Sequence, residues 1–272
     1  MKKTTRLLLA AIIGLAAFQT PSFADQDDSD GSFGTRYSVG VDKKIRKGFH
    51  VFADEEFRLD DTFSIDRMYT TAGVSYKPLD WLKLGVGYSA INVSKVNKDT
   101  GADYWDWRHR LAADVTGTCR VGEWKFSLKE KFQATYKTRE VFEKEKPQTA
   151  LALKSRVKVS YNFRRAGLEP YAAFEHKLTL NGAAWDDLSE DMFKFKESEY
   201  LGLNDVFTSR LRTEAGIEWK ISRSSSIDIY GKMDTITEKD IDCKKNKGVL
   251  KQPITTAERN FFIAGIGYTF SF

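Results

Sequence analysis

Three histidines, two cysteines and one acidic cluster are the residues of this 272-residue chain whose types invite chemistry. A hydrolase needs a nucleophile, a general base and an orienting group brought together. His50, His109 and His176 are scattered along the chain, and their spacing defines no such constellation. Asp186, Asp187, Glu190 and Asp191 carry the oxygen ligands a divalent cation takes, but not at the spacing of a calcium loop, so a solvated acidic loop is the simpler reading. No phosphate-cradling glycine loop and no cofactor fingerprint appears. These residue types and spacings assign no catalytic residue, metal site or cofactor.

A second pattern is charge repeated at every other residue. Glu56, Arg58, Arg67, Arg108, Arg110, Lys129, Lys131, Arg156, Glu175, Arg210, Arg212 and Glu214 fall on the face opposite the apolar residues of their stretches. Lys129 and Lys131 lie opposite Phe126, Leu128 and Phe132; Arg210, Arg212 and Glu214 lie opposite Leu211, Ala215 and Ile217. A period of two is the period of a β-strand, whose side chains point alternately to its two faces. Eleven stretches read this way, at about 34–45, 48–59, 65–77, 81–93, 105–118, 123–137, 150–163, 168–180, 206–221, 226–237 and 258–272. No helix is expected after the first 24 residues. Tight connections (77–80, 119–122, 164–167, 222–225) alternate with long polar ones (94–104, 138–149, 181–205, 238–257).

Alternation suits a soluble sandwich or a membrane barrel, and three features select the barrel. The strands exceed the five or six residues usual in globular sheets and are long enough to cross a bilayer at a tilt. Tyr76, Trp124, Tyr161, Trp219 and Tyr268 gather near the tight-turn ends, with Trp107 and Tyr136 near the other, as aromatic belts do at lipid–water boundaries. Short turns at one end and long loops at the other are the habit of outer-membrane barrels. The expected fold is all-β, an antiparallel transmembrane β-barrel of 10–12 strands with short periplasmic turns and long extracellular loops. Single-chain bacterial barrels favour even numbers, which moves the expectation from the eleven stretches counted to twelve.

The chain start fits that address. Lys2, Lys3 and Arg6 precede an apolar run from Leu7 to Phe18, and Ser22-Phe23-Ala24 supplies small residues at a cleavage site after Ala24. Residues 1–24 are expected to be a cleaved secretory signal, 25–33 a disordered mature N-terminus, and 34–272 the barrel. The whole chain carries 43 Lys+Arg against 38 Asp+Glu; without Lys2, Lys3 and Arg6 the basic count falls to 40 and the net charge to +2. That balance gives no reason to expect a nucleic-acid partner.

Five segments carry a family resemblance. They are Glu55-Glu56-Phe57-Arg58-Leu59, the run Ser75 to Tyr88, His109-Arg110-Leu111, Leu168-Glu169-Pro170-Tyr171 with Glu175, and Gly267 to Phe272. In that order and spacing the chain resembles an uncharacterised family of outer-membrane β-barrel proteins, a domain of unknown function found mostly in Bacteroidota-type bacteria. The resemblance covers most of the mature chain and implies the fold and the bacterial outer membrane. It supplies no catalytic residue. It also implies that Tyr268, Phe270 and Phe272 form the terminal signal read by the barrel-assembly machinery, the one protein partner expected besides membrane lipid.

The charged face is then the lumen wall, where most charges should be paired or hydrated. The leading expectation is a structural or narrow-pore barrel with a largely ion-paired lumen. A surface binding or uptake protein acting through loops 181–205 and 238–257 is one alternative, and an outer-membrane hydrolase is the other. Glu55 and Glu130 break the pattern by falling on the apolar face. A carboxylate there is unfavourable, so a β-bulge that re-aims each is expected. Cys119 in a tight turn and Cys243 in a long loop belong at opposite ends of the barrel, too far apart to bond.

Overall fold

The computed structural model describes residues 33–96, 101–186 and 193–272. The signal segment 1–24, residues 25–32 and the acidic residues Asp187, Glu190 and Asp191 lie outside the described residues. The wall consists of β1 (Phe33–Arg46), β2 (Phe49–Leu59), β3 (Ile65–Leu79), β4 (Leu82–Val96), β5 (Asp103–Val121), β6 (Trp124–Lys137), β7 (Thr149–Tyr161), β8 (Leu168–Trp185), β9 (Tyr200–Lys220), β10 (Ser225–Asp240) and β13 (Thr255–Ser271). A two-residue-per-strand hairpin, β11 (Cys243–Lys244) and β12 (Val249–Leu250), sits in the last long loop.

These eleven wall strands close into one barrel, each beside its chain neighbours. The stretches read from periodicity recur within a few residues, except where β8 and β9 run on to Trp185 and Tyr200. That extension crosses four register shifts between Lys177 and Trp185, and bulges of this kind erase a period of two. The closure is the other departure. β1 and β13 pair in parallel from Phe33↔Phe262 to Asp42↔Ser271, while the ladders between consecutive wall strands are antiparallel. Evenness follows only if first and last strands meet antiparallel, so a parallel seam permits eleven, one fewer than twelve. Phe33 therefore starts β1 at the long-loop end, and the chain finishes at the tight-turn end. Gly48 and Gly122 take positive φ (75° and 60°) in those tight turns.

Packing is inside-out relative to a soluble protein. Leu111 is 62 % exposed and Val86 57 %, both on the outer face, and Leu84 and Phe126 are exposed beside them. In water each such side chain would forgo about 1.5–3 kcal/mol, and a continuous band of them is foreign to soluble monomers. Hydrocarbon removes that penalty. The buried polar residues lie within: Arg36, Asp106, Gln133, Ser160, Glu169, Arg212, Glu214 and Asp234. A small apolar island, Tyr69 with Ile91 and Val93, interrupts them. Glycines make room for large inward rings. A Cβ on Gly265 would lie 2.3 Å from the Tyr230 ring, and one on Gly216 2.8 Å from the Tyr171 hydroxyl.

Candidate functional site

The lumen divides into two regions with different charge logic. On β8, β9 and β10, register brings acids beside bases. Arg212 and Asp234 are Cα partners, and the guanidinium grips the carboxylate through two bonds, Nε–Oδ1 at 2.5 Å and Nη2–Oδ2 at 2.6 Å. Arg210 donates to Glu175 at 2.5 Å and approaches Asp234 at 3.7 Å. Glu214 accepts from Arg156 on β7 at 3.0 Å and from the Tyr171 hydroxyl at 2.9 Å, with Lys232 at 3.4 Å. Asp228 lies 3.1 Å from the same hydroxyl, and the Lys158 ammonium sits 3.6 Å over the Tyr171 ring. Charge-assisted, bidentate bonds of this kind are the strong ones, and they fix both strands' side chains in one arrangement.

Smaller knots close the network toward the two ends. At the tight-turn end Glu169 accepts from Ser160 at 2.7 Å, with Lys125 and Lys220 at 3.4 and 3.2 Å. Toward the long loops Asp106 holds Arg108 at 2.7 Å and Lys95 at 3.3 Å. Arg67 stands 3.6 Å from Asp66.

The second region is a cavity of about 480 Å³ between β1–β4 and β5–β7. Glu56, Arg58, Arg110, Lys129 and Lys131 line it, together with Lys83, Asp54, Asp114, Gln133 and Lys154. Arg58 holds Glu56 at 2.5 Å and lies 4.1 Å over the Tyr69 ring. Arg110 donates to Thr135 at 2.9 Å, and Lys129 meets Asp114 at 3.3 Å. Judged by its lining, the cavity runs from Asp42 and Lys83 at the tight-turn end to Tyr69 at mid-height.

Of the twelve charged residues singled out from spacing, Glu56, Arg58, Arg110, Lys129 and Lys131 line the cavity, Arg108, Arg156, Glu175, Arg210, Arg212 and Glu214 hold ion pairs, and Arg67 reaches its chain neighbour Asp66. Spacing missed Asp234, Lys232, Tyr171, Tyr69 and Lys177. Tyr69 and Tyr171 are aromatic residues on a polar face, which was the available signal. Asp234 and Lys232 follow the period of β10, behind the plain apolar alternation of Ile227 and Ile229.

The bulge expected at Glu55 and Glu130 is absent. Register runs unbroken through Glu55 and Glu130, and no bulge re-aims either. Both stand on the outer face. Glu130 is satisfied by its neighbour strand: Ser155 Oγ donates to it at 2.6 Å, and Ser155 pairs in turn with His176. That hydroxyl makes the bulge unnecessary. His176 meets Thr208 Oγ1 at 2.9 Å at mid-wall, and His109 meets the Tyr88 hydroxyl at 2.5 Å. His50 points inward at the tight-turn end, 2.6 Å from Asp42.

Three loops meet at the other end. Phe142, Trp185, Phe195, Tyr200 and Ile254 pack around Ala183, Ile241, Cys243 and Leu250. Trp185 Nε1 donates to the Lys144 carbonyl at 3.1 Å, and the Cys243 amide to Glu145 at 3.0 Å. Burial, with Glu145 and Asp242 nearby, pushes the Cys243 thiol up to about 11. Cys119 is exposed, and both thiols are free. At the chain end Tyr268, Phe270 and Phe272 lie on the outer face; the Phe270 and Phe272 rings meet tilted with centroids 5.4 Å apart, and Phe272 exchanges backbone bonds with Lys44 and Asp42.

Residues 33–242 match the model of a family described as protein of unknown function, DUF2490. No curated protein matches the chain. Among solved structures, outer-membrane expressed OmpT of Vibrio cholerae is similar at 13 % identity, over 81 % of this chain and 61 % of that one, with a TM-score of 0.38. In-vitro folded OmpT of the same organism gives 12 %, 83 %, 62 % and 0.36. An anion-selective porin from Comamonas acidovorans gives 10 %, 82 %, 53 % and 0.30. The chain thus spans about three fifths of the OmpT chains it resembles, and a likeness at these scores carries no further argument.

Proposed function

The chain belongs to the DUF2490 family, and from the charge arrangement above we propose a narrow outer-membrane barrel whose lumen is locked by ion pairs rather than held open for diffusion. The observation that carries this reading is the Arg212–Asp234 grip. Both side chains are buried, 8 % and 2 % exposed, inside a wall whose outer face is apolar. Arg210, Glu175, Arg156, Glu214 and Lys232 extend it across β7 to β10, so that this side of the lumen carries side chains that hold one another.

Location follows from the same features. The exposed apolar band fits hydrocarbon, closed barrels satisfy every backbone group within it, and the leader-like residues 1–24 would deliver the chain to the cell surface by cleavage after Ala24. Tyr268, Phe270 and Phe272 then serve assembly: they are presented outward on the strand that must seal last against β1. Planar-bilayer recording tests the lock. Refolded protein is expected to show no long-lived conductance steps of porin size; regular steps of that size in the wild type would overturn the reading.

A further inference from the structure

Lys131, Lys154 and Lys177 stand side by side on β6, β7 and β8. Lys131 is the Cα partner of Lys154, and Lys154 of Lys177. Directly opposed like charges weaken a ladder. The nearby acids are bonded to other bases, Asp114 to Lys129 at 3.3 Å and Glu175 to Arg210 at 2.5 Å, so that the Glu175 charge is shared between Arg210 and Lys154. Among the described residues none of the three ammonium groups makes an ion pair or a side-chain hydrogen bond. An unbalanced row of this sort is unfavourable for folding alone, which makes a missing counter-charge the natural explanation.

The row borders open space. Lys131 and Lys154 line the 480 Å³ cavity, where Arg110 and Lys83 join them and Gln133, Thr71 and Ser89 add neutral donors. Of the carboxylates in that wall, Glu56, Asp114 and Asp42 are held by Arg58, Lys129 and His50. Asp54, on the far side, is the one without an ion pair among the described residues. The volume falls in the range of small-molecule pockets, about 300–1,000 Å³.

We infer that this cavity binds a compact oxyanion of two or more negative charges, of the phosphate or polycarboxylate class, entering from the tight-turn end and seated against Lys131 and Lys154. The inference rests on the closed-barrel reading but is separable from it: conductance tests the lock and binding tests the site. In the paired half Arg212, Arg210, Arg156 and Lys232 are already held by Asp234, Glu175 and Glu214, which leaves those bases engaged.

The test uses the full folded barrel in detergent micelles, titrated calorimetrically with pyrophosphate and with citrate at constant chloride, and melted with and without each. Wild type is expected to bind at least one probe and to melt higher in its presence. Lys131→Gln and Lys154→Gln are each expected to weaken binding about tenfold or more, the scale of one charge-assisted bond. Both variants should also melt higher than wild type without ligand, because each relieves repulsion. A lysine kept for structure alone would do the reverse. Lys244→Gln, in the distal loop, should leave binding unchanged. Absence of binding by either probe at millimolar concentration overturns the inference, as does undiminished binding by both lumen variants.

Discussion

The two halves of the lumen use the same residue types to opposite ends. On β9 and β10 the register alternates sign, Arg212 beside Asp234 and Glu214 beside Lys232, and the side chains close on each other. On β6, β7 and β8 the register repeats sign, Lys131 beside Lys154 beside Lys177, and Lys131 and Lys154 line a cavity. Pairing turns charge into filling, whereas repetition leaves it in want of a partner. A charged lumen is therefore two things in one barrel, a lock and a receptor surface, and which one a residue joins depends on its neighbour across the ladder.

The largest effect should come from breaking the lock. Asp234→Ala leaves a buried guanidinium without its carboxylate, and the expected loss is about 3–5 kcal/mol in urea unfolding from lipid vesicles. A loss below about 1 kcal/mol would mean that water already screens the pair and that the two halves differ less than their geometry says. Next comes the steric half of the lock. Gly265→Ala drives a methyl into the Tyr230 ring and should cost about 1–3 kcal/mol, the usual range for overpacking. Gly231→Ala, on a neighbouring strand with nothing within 4 Å of its Cβ, should be silent.

The smaller effects lie outside the lock. Lys154→Gln should stabilise the ligand-free barrel by about 0.2–1 kcal/mol, the worth of one cross-strand pair. Destabilisation would place Lys154 with the paired half. Smallest is the difference between the two ends. At pH 8 a maleimide should label Cys119 and spare Cys243 until the loops unfold, because the thiol of Cys243 is buried and deprotonates only near 11. Equal labelling rates would show that the loop cluster does not hold.

Much of the barrel is legible along the chain, because a period of two survives wherever one face meets lipid. Leu82 to Tyr88 and Phe262 to Phe272 announce their strands and their outward faces without help. Three things are not legible, each for a physical reason. The parity rule behind twelve strands assumes an antiparallel seam, and nothing within β1 or β13 reveals that they meet in parallel. The extension of β8 and β9 is hidden by bulges around Gly182 and Ala184. Glu130 looked impossible outward because its hydrogen-bond donor, Ser155, is twenty-five residues away on another strand. The site shows the same limit more sharply. Alternation says that Lys131, Lys129, Arg212 and Glu214 face inward, but partners are set by turns and bulges, so lock and receptor surface look alike in one dimension.

The claim beneath all of this is that acyl chains meet the apolar face and water or paired charge the other. Nitroxide labels placed singly along β6 in lipid vesicles test it, with Cys119 and Cys243 replaced by serine. Labels at Phe126, Leu128 and Phe132 should collide with dissolved oxygen and be shielded from a water-soluble nickel chelate, while labels at Ser127, Lys129 and Gln133 should be shielded from oxygen. Equal chelate access on both faces, or a chain that folds and stays soluble without detergent, would contradict it.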